Sequence, residues 1–185
     1  MDRRQQKTRK AIFSALSNLL EQKRFECITV QEIIDEADIG RSTFYAHFET
    51  KDDLLKEMCT DIFHHIFAER LPQEADSDHM EGSANLELKL GHILYHLKEN
   101  KCNLKGILEG ESGELFLYFL KGYLCDLFIR YKDDFPCDIP EDFLLHHLAA
   151  SFSEAVKWWM REDTRHSPEE VAAYYMAMIR TQNRK

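Results

Sequence analysis

The residues best placed to do chemistry crowd into one short stretch. Arg41, Ser42, Thr43, Tyr45 and His47 are five hydrogen-bonding side chains within seven positions. Phe44 and Phe48, interleaved with them, stand four apart and so share one face of a helix, leaving the polar set on the other. Nothing in this set is arranged to break bonds. The chain has no GxSxG, no Gly-rich phosphate loop, no HExxH and no Cys–His pairing at a known spacing. The chemistry on offer is recognition by reach and hydrogen bond, so no enzyme activity and no cofactor are expected.

Metal and thiol chemistry are weaker readings. His92 and His96 are spaced i, i+4, and His64-His65 and His146-His147 are adjacent pairs. No cysteine or carboxylate joins them at the spacing of a known site, so no metal centre is expected. Five cysteines, an odd number without a CxxC, point to reduced thiols in a cytoplasmic protein, not to a disulfide framework or structural zinc. A redox sensor at Cys59, Cys102 or Cys125 is the minor alternative. The basic start is followed by no apolar signal region, and no run reaches the roughly 18 apolar residues of a membrane span.

The elements that must position the polar cluster can be read around it. In TVQEIIDEADIGRSTFYAHFETK (Thr29 to Lys51), Val30, Ile33, Ile34 and Ala37 form an amphipathic stripe. Thr29 and Glu32 fit a capping box, which starts a helix over about 29–36. Asp38-Ile39-Gly40 breaks the period, with Gly40 expected at positive φ, and a second short helix covers about 41–47. Two short helices joined by a tight glycine-containing turn form the helix-turn-helix pattern, whose second helix enters the DNA major groove.

Helical spacing continues through the rest of the chain, which holds only seven glycines and four prolines. Helices are expected over about 7–21, from Thr50 to before Pro72, and over 85–98, 102–109, 114–131, 140–161 and 167–181. The fold class is therefore all-α, with about nine helices: a three-helix DNA-binding domain over 1–51 and a helical effector-binding and dimerisation domain over 52–185. Residues 72–82 read as a polar connector, and 114–131 as a helix apolar almost all round and buried. Net charge is −9, but residues 1–51 carry nine Lys/Arg against eight Asp/Glu, while 52–185 carry fifteen against twenty-five. A locally basic head on an acidic body is compatible with phosphate contact.

Aromatic residues in the body (Phe63, Phe67, Tyr95, Phe116, Phe119 and Tyr123) offer either a filled core or the lining of an effector pocket. In the last two helices, small residues alternate with large apolar ones. The adjacent Trp158 and Trp159 cannot both point inward, so an apolar face is left for a partner. Candidate interface residues are Leu145, Phe152, Val156, Trp159, Ala173, Met176 and Ala177.

Beyond this residue-by-residue reading, TVQEIIDEADIGRSTFYAHFETKDDLL, with its FYxHFxTKxxLL core, resembles the DNA-binding domain of the TetR family of transcriptional regulators. The resemblance covers about residues 7–60. The body is similar to a C-terminal domain common in members from Gram-positive bacteria. The resemblance implies a double-stranded DNA operator as partner, with Arg41, Ser42 and Thr43 facing base edges. It also implies that Thr29, Tyr45, His47 and Lys51 grip the backbone. Pairing through the last two helices into a homodimer is implied too, as is a repressor released from a palindromic operator by a small-molecule effector. A coactivator regulated by a partner protein, with no small-molecule pocket, is the alternative. One departure is Ala46, where many relatives carry a second aromatic.

Overall fold

The structure, a computed structural model, describes residues 3–68, 82–108, 110, 112–135, 139–161 and 165–181. The expected connector at 72–82 lies almost wholly outside them. Among the described residues the only regular elements are helices: α1 (Arg3–Leu20), α2 (Val30–Glu36), α3 (Arg41–Tyr45), α4 (Lys51–Ala68), α5 (Gly82–Glu99), α6 (Lys101–Leu108), α7 (Ser112–Ile129), α8 (Glu141–Arg161) and α9 (Pro168–Thr181). Short 3-10 turns sit at Phe25–Cys27 and Lys132–Asp134. No described helix is long and apolar enough to cross a membrane.

The chain divides into two compact units, residues 1–62 with 100–116, and residues 63–99 with 117–185. The division falls inside α4, between α5 and α6, and inside α7, whereas the sequence reading sets the domain boundary at residue 51. The first unit gains α6 and the first turn of α7. α6 packs on α1, and the approach is close: a Cβ on Gly106 would lie 2.5 Å from the Leu20 carbonyl oxygen. Only glycine lets the two backbones meet there. Ile12, Leu16, Leu20, Phe25, Ile33, Phe44, Phe48 and Leu54 fill the core of this unit together with Leu104 and Ile107 of α6.

The turn between α2 and α3 differs from expectation in which residue bends the chain. Gly40 has φ −76° and ψ 151°, ordinary extended backbone at the N-cap of α3. Asp38 takes the left-handed conformation instead, at φ 52°. The Ile39 N–H donates to Ile34 O at 3.2 Å and the Asp38 N–H to Asp35 O at 3.3 Å. That is the Schellman pattern, in which the residue just past the C-cap must be left-handed. Asp tolerates that region better than most side chains do, so it needs no glycine.

In the second unit α9 packs on α5 and α8. Ser167 and Glu170 start α9 reciprocally: the Ser167 N–H donates to the Glu170 carboxylate at 2.7 Å, and the Glu170 N–H to the Ser167 hydroxyl at 3.2 Å. α7 is not enclosed all round. Leu117, Leu120, Leu124 and Phe128 form its buried stripe, while Tyr118, 71% exposed, and Gly122 face outward with the half-buried Lys121 between them. Its high apolar content hid an ordinary 3.6-residue periodicity.

Candidate nucleic-acid interface

Two buried rings orient α3. Phe44 and Phe48 are both in the core with centroids 5.9 Å apart, and Phe13 of α1 meets Phe48 at 6.0 Å. The Arg9 guanidinium lies over Phe13 and Phe48 and pairs with Glu57 and Asp61 of α4, which fastens α1 to the middle of the next long helix. With that face pinned inward, Arg41, Ser42 and Tyr45 are exposed, and Thr43 and His47 are half-buried. Tyr45 is 48% exposed and its ring stands edge-on to Phe44 at 5.4 Å, so its hydroxyl is carried outward on a supported ring. The five polar residues thus share one short exposed helix end. A five-residue helix backed by two phenylalanines is a rigid platform for hydrogen bonding into a groove, and it offers nothing for covalent chemistry.

The start of α2 is a closed capping box. The Glu32 N–H donates to the Thr29 hydroxyl at 3.3 Å, while the Thr29 N–H and hydroxyl both donate to the Glu32 carboxylate at 2.9 Å. Lys23 adds its ammonium to the same carboxylate at 2.5 Å. The Lys23 bond, followed by the Thr29 N–H and hydroxyl, holds the Glu32 carboxyl down to about 2. Thr29's own donors therefore already have a protein acceptor, and the sequence carried no sign of the Lys23 contribution.

Lys51, expected to grip the backbone of a nucleic acid, has its ammonium elsewhere. It donates to the carbonyls of Phe25 (3.1 Å), Glu26 (3.2 Å) and Ile28 (2.8 Å), and lies 4.7 Å from the centre of the Phe25 ring. Three carbonyls take up the three protons of an ammonium. In this geometry Lys51 staples the 25–28 segment to the start of α4 and does not point outward.

In the second unit Phe63, Phe67 and Tyr123 form a stack, with Phe67–Tyr123 centroids 5.3 Å apart and Phe63–Tyr123 5.5 Å. Beside it lies a hollow of about 210 Å³ lined by His64, Phe67, Tyr123, Asp126, Leu127 and Arg130. Phe119 and Tyr123 border a second hollow, of about 690 Å³, with Tyr118, Gly122 and His146. Tyr95 is half-exposed, and Phe116 belongs to the first unit. The six aromatics are thus not gathered around one cavity. Among the described residues no group of three His, Cys, Asp or Glu could hold a metal ion, although His92 and His96 lie 4.5 Å apart. Burial pushes the Cys59 thiol up to about 12, which keeps it protonated and unreactive.

The outward face of α8 and α9 is also redrawn. Phe152, Val156, Trp159 and Met176 are fully enclosed within the protomer and Leu145 nearly so, while Ala173 is half-buried and Ala177 exposed. Trp159 donates its Nε1–H to His166 O at 2.9 Å. Trp158, 45% exposed, lies parallel to the His166 ring at 5.6 Å. The exposed apolar set on these helices is Phe143, Trp158, Tyr174 and Met178, beside a groove of about 290 Å³ lined by His147, Ser151, Ala155, Trp158, Tyr174 and Met178 among others. Five of the seven expected interface residues instead hold the protomer's own core.

Residues 12–58 match the model of the N-terminal region of bacterial regulatory proteins of the tetR family, and residues 84–181 match a transcriptional regulator C-terminal region. The second match alone spans more than half of the chain. The chain belongs to the TetR family. A TetR transcriptional regulator from Streptococcus agalactiae shares 37% identity, with 96% of each chain covered and a TM-score of 0.75. The dihydroxyacetone kinase operon activator DhaS shares the fold at 18% identity, with 95% of each chain covered and a TM-score of 0.64. An uncharacterised HTH-type transcriptional regulator of Bacillus subtilis, YxbF, is 34% identical over 79 residues, which are 40% of this chain and 21% of that curated relative's length. As a TetR-family chain it is a transcriptional regulator of the DNA-binding kind and not an enzyme.

Proposed function

We propose that the protein is a homodimeric repressor in which each α3 reads one half of a palindromic operator and a small-molecule effector triggers release. The observation that carries the reading is the polar end of α3, held outward by the buried Phe44 and Phe48. Arg41, Ser42 and Thr43 open that helix and meet base edges, while Tyr45 and His47 contact phosphate or sugar. Thr29 and Lys51 act from behind, by fixing the start of α2 and the 25–28 segment. The partner protomer docks on the exposed Phe143, Trp158, Tyr174 and Met178 face of α8 and α9, with Ala177 alongside.

Selection of binding sites from random double-stranded DNA tests the reading. The wild type should enrich a two-fold symmetric sequence, and Arg41→Ala should relax one position of each half-site at a cost of about 1–3 kcal/mol. Enrichment of no sequence would remove the operator reading. Unchanged base preference in Arg41→Ala would remove direct readout by that residue.

A second reading, in which a partner protein and not a small molecule governs release, is favoured by one observation. Phe67 and Tyr123 stack on each other, and the hollow beside them, at about 210 Å³, is smaller than the roughly 300–1,000 Å³ of ordinary small-molecule sites, which leaves the hollow of about 690 Å³ at Phe119 and Tyr123 as the competing seat for a small molecule.

A further inference from the structure

Glu26 stands where three helices are tied together. Its carboxylate accepts from the Ser112 N–H at 2.9 Å and the Ser112 hydroxyl at 2.8 Å, across 86 positions of sequence. Its main-chain carbonyl accepts from Lys51 at 3.2 Å. Ser112 and Lys51 are the first residues of α7 and α4, the two helices within which the division between the units falls. Three positions further on, Thr29 caps α2.

The contact is built for a carboxylate. The first amides of a helix lack partners within it, and the positive end of the helix dipole favours an anion. Gly110 completes the seat, because a Cβ there would overlap the Glu26 carboxylate. Ile107 O, near the end of α6, lies 3.0 Å from the Ser112 hydroxyl and is the alternative acceptor for its single proton.

We propose that Glu26 is a positioning residue through which α7 sets the start of α2, giving the body a second line to the DNA-reading head beside α4. A shift of the first turn of α7 would draw the Glu26 side chain with it. The 25–28 segment is bonded to Lys51, so it can follow only by moving against the start of α4. Its other end is Thr29, so α2 then changes its lie beneath α3. The inference rests on the operator reading above and adds the route by which regulation reaches the head.

The test is a double-mutant cycle in the full-length protein, read on the duplex that the wild type selects from random DNA. Glu26→Ala should weaken operator binding about tenfold and Ser112→Ala about threefold, as expected for losing hydrogen bonds to a charged group. The double variant should bind no more weakly than Glu26→Ala alone, because both remove one contact. Glu26→Gln, which keeps an oxygen acceptor, should recover part of the loss. Base preference should not change, and amide exchange over residues 30–34 should quicken in both single variants while α8 and α9 keep their protection. Wild-type affinity in Glu26→Ala, or additive losses in the double variant, would overturn the proposal. If the wild type itself selects no sequence, the operator reading fails, and the link is judged on exchange alone: unchanged α2 protection in Ser112→Ala rejects it.

Discussion

Replacing Lys51 by methionine separates two roles that a simple affinity loss would confuse. Methionine keeps the length and most of the bulk of the lysine stem, so packing near Phe25 is conserved while all three donors vanish. The ammonium donates at 2.8–3.2 Å to three carbonyls and sits 4.7 Å from the Phe25 ring. Charge-assisted bonds of this kind contribute about 1.5–3 kcal/mol each when enclosed; at a half-buried site water replaces much of that, which leaves a loss of about 2 kcal/mol. Urea unfolding should show that loss as a lower midpoint at unchanged slope. Operator binding should weaken about three- to tenfold, because the 25–28 segment must be re-ordered on the DNA. The decisive measurement is the salt dependence of that binding. A lysine touching phosphate accounts for a slope of about 0.9 in log K against log salt, so a dimer would lose about 1.8 on substitution. Lys51→Met should leave the slope where it is. A slope reduced by that amount would show that Lys51 leaves its three carbonyls for phosphate, and the staple would be the wrong reading.

Adjacent tryptophans should behave in opposite ways. Trp158→Ser should convert a species of twice the 21.9 kDa chain mass to monomer in sedimentation, with little change in monomer folding. Trp159→Ala, by emptying a fully buried site, should destabilise the protomer by about 3–5 kcal/mol in chemical unfolding. A dimer that survives Trp158→Ser sinks the assigned face. The capping box makes a pH prediction. Glu32 is depressed, so its stabilising contribution is complete above the ordinary carboxyl range and fades as pH falls from about 4.5 through about 2. NMR titration should place its midpoint near 2, and Lys23→Met should move it upward; a midpoint near 4.5 in the wild type would rule out the box.

Local rules carried the sequence reading wherever partners are near in the chain. Thr29 with Glu32, and Ser167 with Glu170, are three apart, and both formed the reciprocal bonds their spacing predicts. Phe44 and Phe48, four apart, are buried side by side. What escaped are choices that only the folded chain makes. Asp38 and Gly40 could both serve the turn, and the residue just past the C-cap, not the identity of the glycine, decided which bends. α8 carries apolar residues around more than half its girth, so periodicity could not say whether Trp158 or Trp159 faces inward. Lys51 reads as a surface cation until the three carbonyls around it are seen. Glu26 and Ser112 are 86 residues apart, a distance at which no spacing rule operates.

The close passage of α6 over α1 at Gly106 and Leu20 bears on how this regulator can be rebuilt. Grafting its operator specificity onto another scaffold invites a cut after residue 51 or 62, which carries away α1–α3 as one contiguous cassette. Such a cassette would leave behind Leu104 and Ile107, which are fully buried, and would bare the side of α1 that they cover. A working chimaera has to transplant two separated stretches, residues 1–62 and 100–116, as a matched pair. The portable module of this protein is discontinuous in sequence, and its seam is a glycine.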